Sequence, residues 1–218
     1  MTETVLVRPA GLADARTIAV LLGRAGHDEA VFGWVVPDES DRRACAQKWV
    51  ESAPDWLGAL LPAGELLLAG DESNPSGGLS VWEHRAASSA AVSAAAGTDE
   101  QQAAFLARAY GRYAPRMALV GELIAARHPD GRPYWYLQQM VVLPELRGRG
   151  LGGAMLRHQL RRADADGIGS YLEASSPRNR ALYQRYGFRS CAEPIRLPDG
   201  GPTLQPMWRE PHPGQPPS

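Results

Sequence analysis

Residues 135–160 read WYLQQMVVLPELRGRGLGGAMLRHQL, and this stretch decides the fold. Trp135 to Leu143 is rich in aromatic and β-branched residues and ends at Pro144, as a strand does. The glycine-rich turn Arg147-Gly-Arg-Gly-Leu-Gly152 follows at once. From about Leu151 to Asp166 the apolar residues Leu151, Met155, Leu156 and Leu160 recur at helical spacing. After Gly167, Ser170 to Ala174 reads as a second strand. Pro177 to Tyr186 then forms a short helix running into Gly187-Phe188. Strand, helix, strand in this order is a βαβ unit, so the two strands are expected to lie parallel.

Upstream, Thr4 to Pro9 reads as a first strand, and Leu12 to Ala25 as a helix burying Ile18, Leu21, Leu22 and Ala25. His27 to Ser40 has no clear period and carries Phe32 and Trp34, as a loop or short helix over a pocket would. Asp41 to Leu61 is helical, with a break expected near Pro54. Glu65 to Gly70 and Leu79 to His84 are strands joined by the turn-rich Ser73 to Gly78, so antiparallel pairing is expected. Ala86 to Gly97 is almost all Ala and Ser, a low-complexity linker or weak helix, and Thr98 to Arg127 is helical with a break at Pro115. The expectation is one domain over residues 1–210, with a helical insertion at 86–130 and a disordered Pro-rich tail at 211–218.

Composition narrows the function classes. At 218 residues, 44% hydrophobic and 22% charged, the chain can bury an ordinary core, which excludes a mainly disordered or collagen-like protein. The net charge of −1 lacks the basic footprint of a nucleic-acid binder. The most apolar stretch, Trp56 to Ala69, is cut by Pro62, Gly64 and Glu65, so no membrane span is expected. Only Cys45 and Cys191 occur and no signal peptide leads the chain, which fits a reducing, cytoplasmic compartment. His27, His84, His128, His158 and His212 form no ligand spacing with the cysteines, so no metal is expected. Without a G-x-S-x-G elbow, a serine hydrolase is disfavoured.

The glycine turn carries chemistry of its own. A helix N-terminus has N–H groups without partners inside the helix, and its dipole favours an anion. Glycines let the backbone approach that anion closely, and Arg147 and Arg149 flank it. A phosphate site and a plain tight turn both fit these six residues. A P-loop would need a Gly-Lys-Ser/Thr ending that is missing here. A dinucleotide fingerprint belongs after the first strand of a larger doubly wound sheet.

Arg147-x-x-Gly150-x-Gly152, following Val141-Val142-Leu143-Pro144-Glu145, resembles the acetyl-CoA motif of the GNAT acetyltransferase family. Asn179-Arg-Ala-Leu-Tyr183-Gln-Arg-Tyr-Gly187-Phe188 resembles that family's Asn…Tyr…Gly-Phe block, and Val7-Arg-Pro-Ala10 with Asp14 resembles its first strand and helix. Within the family, the run Tyr171 to Phe188 and the insertion are most similar to the puromycin N-acetyltransferase type. The resemblance implies a mixed α/β (α+β) sheet of about six or seven strands flanked by helices, with a splayed parallel pair at the fourth and fifth strands.

The resemblance also implies the donor, acetyl-CoA, and residues that hold it. The backbones of Met140 and Val142, with Val141 between them, would bond the pantetheine amides. The N–H groups of Gly148, Arg149, Gly150, Leu151, Gly152 and Gly153, with Arg147, would hold the pyrophosphate. Asn179 would either bond the cofactor or cap the short helix, and Tyr183 would act as general acid, with Tyr186 structural. Many family members place a Glu base on the fourth strand, where this chain has Tyr136, Gln138 and Gln139. Glu122, His128, Glu173 or a water relay therefore remain as candidates. The acceptor pocket is expected from His27 to Trp34 and around Glu122, with Asp28 and Glu29 for a cationic amine and Phe32 and Trp34 for a flat ring.

The function implied is N-acetylation of a primary amine on a small molecule, an antibiotic or secondary metabolite, by a monomer or homodimer without nucleic-acid or membrane partners. Two alternatives stand beside it. One is transfer of another acyl group from a carrier protein's pantetheine arm, met by a basic rim at Arg157, Arg161 and Arg162. The other is a non-catalytic acyl-CoA-binding regulator.

Overall fold

The computed structural model describes residues 4–62, 64–87 and 99–212. The N-terminal part comprises β1 (Leu6–Pro9), α1 (Ala15–Ala25), α2 (Ala30–Val35), α3 (Glu39–Leu60), β2 (Gly64–Gly70) and β3 (Gly78–Arg85). An insertion of α4 (Asp99–Tyr110) and α5 (Ala114–Ala125) leads to β4 (Tyr134–Val142), α6 (Leu151–Asp166), β5 (Gly169–Ala174) and α7 (Pro177–Arg185). The chain then adds β6 (Arg189–Ser190), β7 (Ile195–Arg196) and β8 (Thr203–Arg209). Eight strands form one mixed sheet in the order β1-β2-β3-β4-β5-β8-β6, with β7 paired to β8. The two-residue strands β6 and β7 account for the excess over the six or seven expected.

Helices cover both faces of the sheet, and β2 records this directly. Leu66, Leu67, Leu68 and Ala69 are all buried, and successive side chains in a strand point to opposite faces. One core joins α1 and α3 to β1–β4 through Ile18, Leu21, Leu57 and Leu60, and takes Leu151 and Met155 from α6. A second packs Leu156 and Leu160 of α6 and Tyr183 of α7 against Trp82, Leu137 and Leu172. A third joins α2 to the insertion through Val35, Tyr110 and Val120.

Two features depart from the sequence expectation, and a third lies where the sequence reading offered none. α3 runs unbroken through Pro54. Pro54 lies on the exposed face, where the carbonyl it leaves unbonded meets water, while buried Ala53, Leu57 and Leu60 hold the helix on the other side. The break in the insertion falls at Gly111–Tyr113, and Pro115 sits in the first turn of α5, where a missing N–H costs nothing. Finally, β8 forms despite Pro206. The Pro206 carbonyl accepts from Cys191 N–H at 3.2 Å, so its missing N–H lies on the side where β6 has already ended. The expected Ala/Ser linker lies outside the described residues at 88–98, as does the tail at 213–218.

The parallel pair has a short register. β4 and β5 pair at Tyr134–Gly169, Trp135–Ser170 and Tyr136–Tyr171, and then diverge. At the same level the β3–β4 register jumps from Val81–Gln139 to Trp82–Leu137, so Gln138 is the extra residue of a bulge that bends β4 away.

The β5–β8 pairing depends on Gly169, because a Cβ there would lie 2.0 Å from the Trp208 indole. Gly169→Ala should destabilise the protein by about 1–3 kcal/mol through overpacking, measured as a lower urea midpoint. An unchanged midpoint would show that the ring moves aside freely.

Candidate active site

The divergence of β4 from β5 leaves backbone polar groups facing an opening. Leu143 N–H donates to the Gly77 carbonyl at 2.9 Å, toward β3. Because N–H groups alternate sides along a strand, those of Val142 and Met140 do so in opposite directions from Leu143 and Val141 respectively. Met140 and Val142 thus aim their N–H groups into the opening. Val141 faces β3 and buries its side chain in the core. The Val142 carbonyl is already taken, accepting from Arg147 Nε at 3.2 Å.

The turn after β4 builds an anion cradle. Gly148 and Gly150 have φ of +84° and +92°, a region L side chains rarely adopt, and a Cβ on either would point into open space. Gly150 caps α6, and its carbonyl receives Ala154 N–H at 2.9 Å. The N–H groups of Leu151, Gly152 and Gly153 thus precede the first helical bond and have no carbonyl inside the helix. Leu151 packs its side chain into the core, and Gly153 sits where a Cβ would lie 2.3 Å from the Tyr186 hydroxyl. Tyr186 is structural, accepting from Arg157 at 2.8 Å through its hydroxyl and from Arg209 Nε at 3.0 Å through its carbonyl.

Arg147 works as a brace. Its guanidinium pairs with Asp28, one bond measuring 2.7 Å, and also reaches the Ala25 carbonyl at 3.3 Å. The hydrogen bond from Arg147 holds the Asp28 carboxyl below its ordinary range. Asp28 is therefore committed to Arg147 rather than to an amine. Arg149 is exposed on the same turn and acts on Asp71. At α7 the cap is Ser176, whose hydroxyl accepts Asn179 N–H at 3.1 Å. Of the two roles expected for Asn179, capping thus belongs to Ser176.

On the face of the sheet opposite α6, alternation places Glu83 and Arg85 of β3, Tyr134 and Tyr136 of β4, and Tyr171 and Glu173 of β5. Arg85 and Glu83 form a buried ion pair at 2.9 Å, and Gln138 donates to Glu83 at 2.9 Å. Tyr136 donates its hydroxyl to Glu173 Oε2 at 3.0 Å. His128, from the turn after α5, places Nδ1 2.7 Å from the Tyr134 hydroxyl and Nε2 3.9 Å from Glu173 Oε1. Burial pushes the Glu173 carboxyl up to about 7, against the pull of the Tyr171 and Tyr136 hydroxyls and of Arg85. Burial and the Arg85 charge push His128 down to about 4, so its ring is neutral.

Tyr183 belongs to the other face, buried beside Phe188 in the α6–α7 core. Burial, with the Glu29 and Glu173 carboxylates, drives its hydroxyl well above the ordinary phenol range, so it stays protonated. Tyr183 and Glu173 therefore belong to opposite faces of the sheet.

Two of the three candidate bases, His128 and Glu173, come together here, whereas Glu122 is exposed on α5. Glu29 caps α2 by accepting from Phe32 N–H at 2.9 Å. Phe32 packs edge-on against Tyr110, and Trp34 lies under the Arg116 guanidinium. These rings join α2 to the insertion rather than forming an open stacking surface. Tyr136, Glu83 and Arg85 were missed as site residues. The signal was the pair of charges two apart in an otherwise apolar strand, a spacing that puts both on one face.

An open strand edge beside an anion cradle fits an elongated ligand with amide groups and a phosphate end, such as the pantetheine and pyrophosphate of acetyl-CoA. Comparison with known proteins agrees. The model of the acetyltransferase (GNAT) family matches residues 34–188. The chain is similar to the histone acetyltransferase HPA2 and related acetyltransferase of Corynebacterium glutamicum, with 26% identity over 100% of both chains and a TM-score of 0.69. It shares its fold with the PaiA N-acetyltransferase of Thermoplasma acidophilum, solved with coenzyme A, at 12% identity over 95% of this chain and 99% of that one, TM-score 0.58. The polyamine N-acetyltransferase of Drosophila melanogaster also shares it, at 13% identity over 95% and 100%, TM-score 0.55.

The raised Glu173 pKa has a consequence for stability. Between its ordinary 4.5 and about 7, the folded protein keeps a proton that the unfolded chain has lost, so this group's contribution to stability falls as pH rises. Glu173→Gln, which cannot ionise, should unfold at higher urea than the native chain at about pH 8, with that advantage shrinking toward about pH 4. Parallel pH profiles of the two midpoints would return the carboxyl to its ordinary range.

Proposed function

The chain belongs to the acetyltransferase (GNAT) family, and from that premise we propose that it transfers the acetyl group of acetyl-CoA to a primary amine of a small molecule, by direct attack in a ternary complex. Acetyl-CoA supplies an activated acetyl thioester. The Met140 and Val142 backbones hold its pantetheine arm, the turn from Gly148 to Gly153 receives its pyrophosphate, and the Asn179 side chain bonds it from α7.

The reading is carried by two groups on opposite faces of the sheet, a carboxyl of pKa about 7 and a phenol kept protonated. A primary amine is an ammonium at neutral pH and must lose a proton before it attacks. Glu173 takes that proton. A base is most effective with a pKa near the working pH, and this carboxyl meets that condition. On the other side, the Tyr183 hydroxyl donates its proton to the departing thiolate. An antibiotic or secondary-metabolite amine is the favoured acceptor, on the similarity of Tyr171 to Phe188 to the puromycin N-acetyltransferase type. Free acetyl-CoA is favoured over a carrier-protein arm, because two arginines of the expected rim are engaged: Arg157 bonds the Tyr186 hydroxyl and Arg162 pairs with Glu65 at 2.6 Å.

The deciding measurement is thiol release from acetyl-CoA against puromycin, aminoglycosides, amino acids, polyamines and arylalkylamines. Acceptor-dependent release is expected, and its absence with every amine, despite tight acetyl-CoA binding, would favour a regulator. Tyr183→Phe should lower kcat by ~10²–10⁴-fold with acetyl-CoA affinity nearly unchanged; full activity would remove Tyr183 as the acid. In the native enzyme, kcat/KM should rise with pH through about 7 as Glu173 ionises, and Glu173→Gln should abolish that limb.

A further inference from the structure

The Glu173 side chain is 5% exposed, so a proton it accepts has no direct route to water. Its two oxygens differ. Oε2 is held by the Tyr136 hydroxyl at 3.0 Å and the Tyr171 hydroxyl also acts on the carboxylate, while Oε1 is buried without a hydrogen bond of 3.5 Å or less. The group facing Oε1 is the imidazole of His128, 3.9 Å away at Nε2 and itself 4% exposed. At its far end the ring meets the Tyr134 hydroxyl, 2.7 Å from Nδ1. When Nδ1 carries the hydrogen and donates it to Tyr134, Nε2 presents a lone pair toward Oε1.

We propose that His128 passes the proton collected by Glu173 to the Tyr134 hydroxyl, on the way out of the buried site, acting through Glu173 rather than on the acceptor. This rests on the reading of Glu173 as the base. In the step, the Oε1–H bond breaks as an Nε2–H bond forms. The Nδ1 proton moves to the Tyr134 oxygen as that hydroxyl releases its own proton to water at the exposed turn that carries Asp130. One proton is delivered and no electrons change hands; the ring is reset for the next turnover when it exchanges its Nε2 proton for one on Nδ1 with water. The 3.9 Å gap exceeds a hydrogen bond, and such contacts commonly tighten only when substrate is bound.

The surroundings suit a neutral carrier. His128 faces Glu173 and Tyr171 of β5, Tyr134 and Tyr136 of β4, and Arg85 of β3, which pairs with Glu83, while Asp130 of its own turn acts on Tyr134. The Tyr136 and Tyr171 rings pack against the imidazole, with centroids at 4.5 and 5.2 Å, and fix its plane. Arg85 opposes a resident positive charge on the ring, so a proton received there moves on.

The test uses His128→Gln, whose amide can still bond Tyr134 but cannot shift a proton between two ring atoms, and His128→Ala, which leaves room for added imidazole. Both are assayed with the amine of the panel above that turns over fastest. The expected result for both is a kcat lower by about tenfold or more, the low end of general acid–base contributions being ~10²-fold. The KM for acetyl-CoA should be unchanged, and imidazole should restore the Ala variant. Native kcat in His128→Gln would overturn the relay, as would failure of imidazole to restore a folded His128→Ala. If His128→Ala does not fold, His128→Gln decides alone. Glu173→Gln separates the two readings: if it is inactive while His128→Gln is native-like, only the relay fails, and if it is fully active, the base and the relay fail together.

Discussion

The parting of β4 from β5 after the Tyr136–Tyr171 pair is the constraint on which the rest of the molecule depends. Backbone N–H and C=O groups in the middle of a sheet need partners, and here a run of them is left open. Several otherwise unrelated features hold that gap. The bulge at Gln138 turns β4 away from its neighbour. Arg147 ties the Val142 carbonyl to Asp28 and to the C-terminal end of α1. Below, Met155 and Leu156 of α6 support the strands with fully buried side chains. The same gap that leaves backbone groups unpaired also joins the two faces of the sheet.

Those two faces offer different solvents. The α6–α7 side is apolar around Tyr183, and burial without a counter-charge keeps a phenol protonated. Across the opening, Glu173 sits among tyrosines, a histidine and an ion pair, where partial compensation leaves a carboxyl near neutrality. The two environments thereby push a carboxyl and a phenol toward different ends of the pH scale. The arrangement costs stability, since Glu173 Oε1 and two nitrogens of Arg85 are buried without hydrogen-bond partners. Such cost is typical where a reactive group must stay undersatisfied until substrate arrives.

Much of the fold was legible because its signals are local. α6 spans Leu151–Asp166 as its spacing predicts, bounded by Gly150 and Gly167, both at positive φ. The short helix begins at Pro177 behind a serine cap, and the β2–β3 hairpin follows from its turn residues. Signals that depend on distant partners were misread. Pro54 looks like a breaker until its exposed side is known. Arg147 reads as a phosphate ligand in sequence because Asp28, its counter-ion, lies 119 residues away.

The sequence by itself determined the βαβ unit, the glycine turn at the N-terminus of α6, and the two motifs that identify the family. Each is written in neighbouring residues and in the periodicity of a helix or a strand. It also nominated Tyr183, Glu173 and His128, but left the base open among residues on three different elements. Only the tertiary structure sets the environment of Glu173 apart from theirs, because a carboxyl's basicity depends on what buries it and which hydroxyls reach it. Glu173 meets Tyr136 across 37 residues and His128 across 45, through a register that no local pattern encodes.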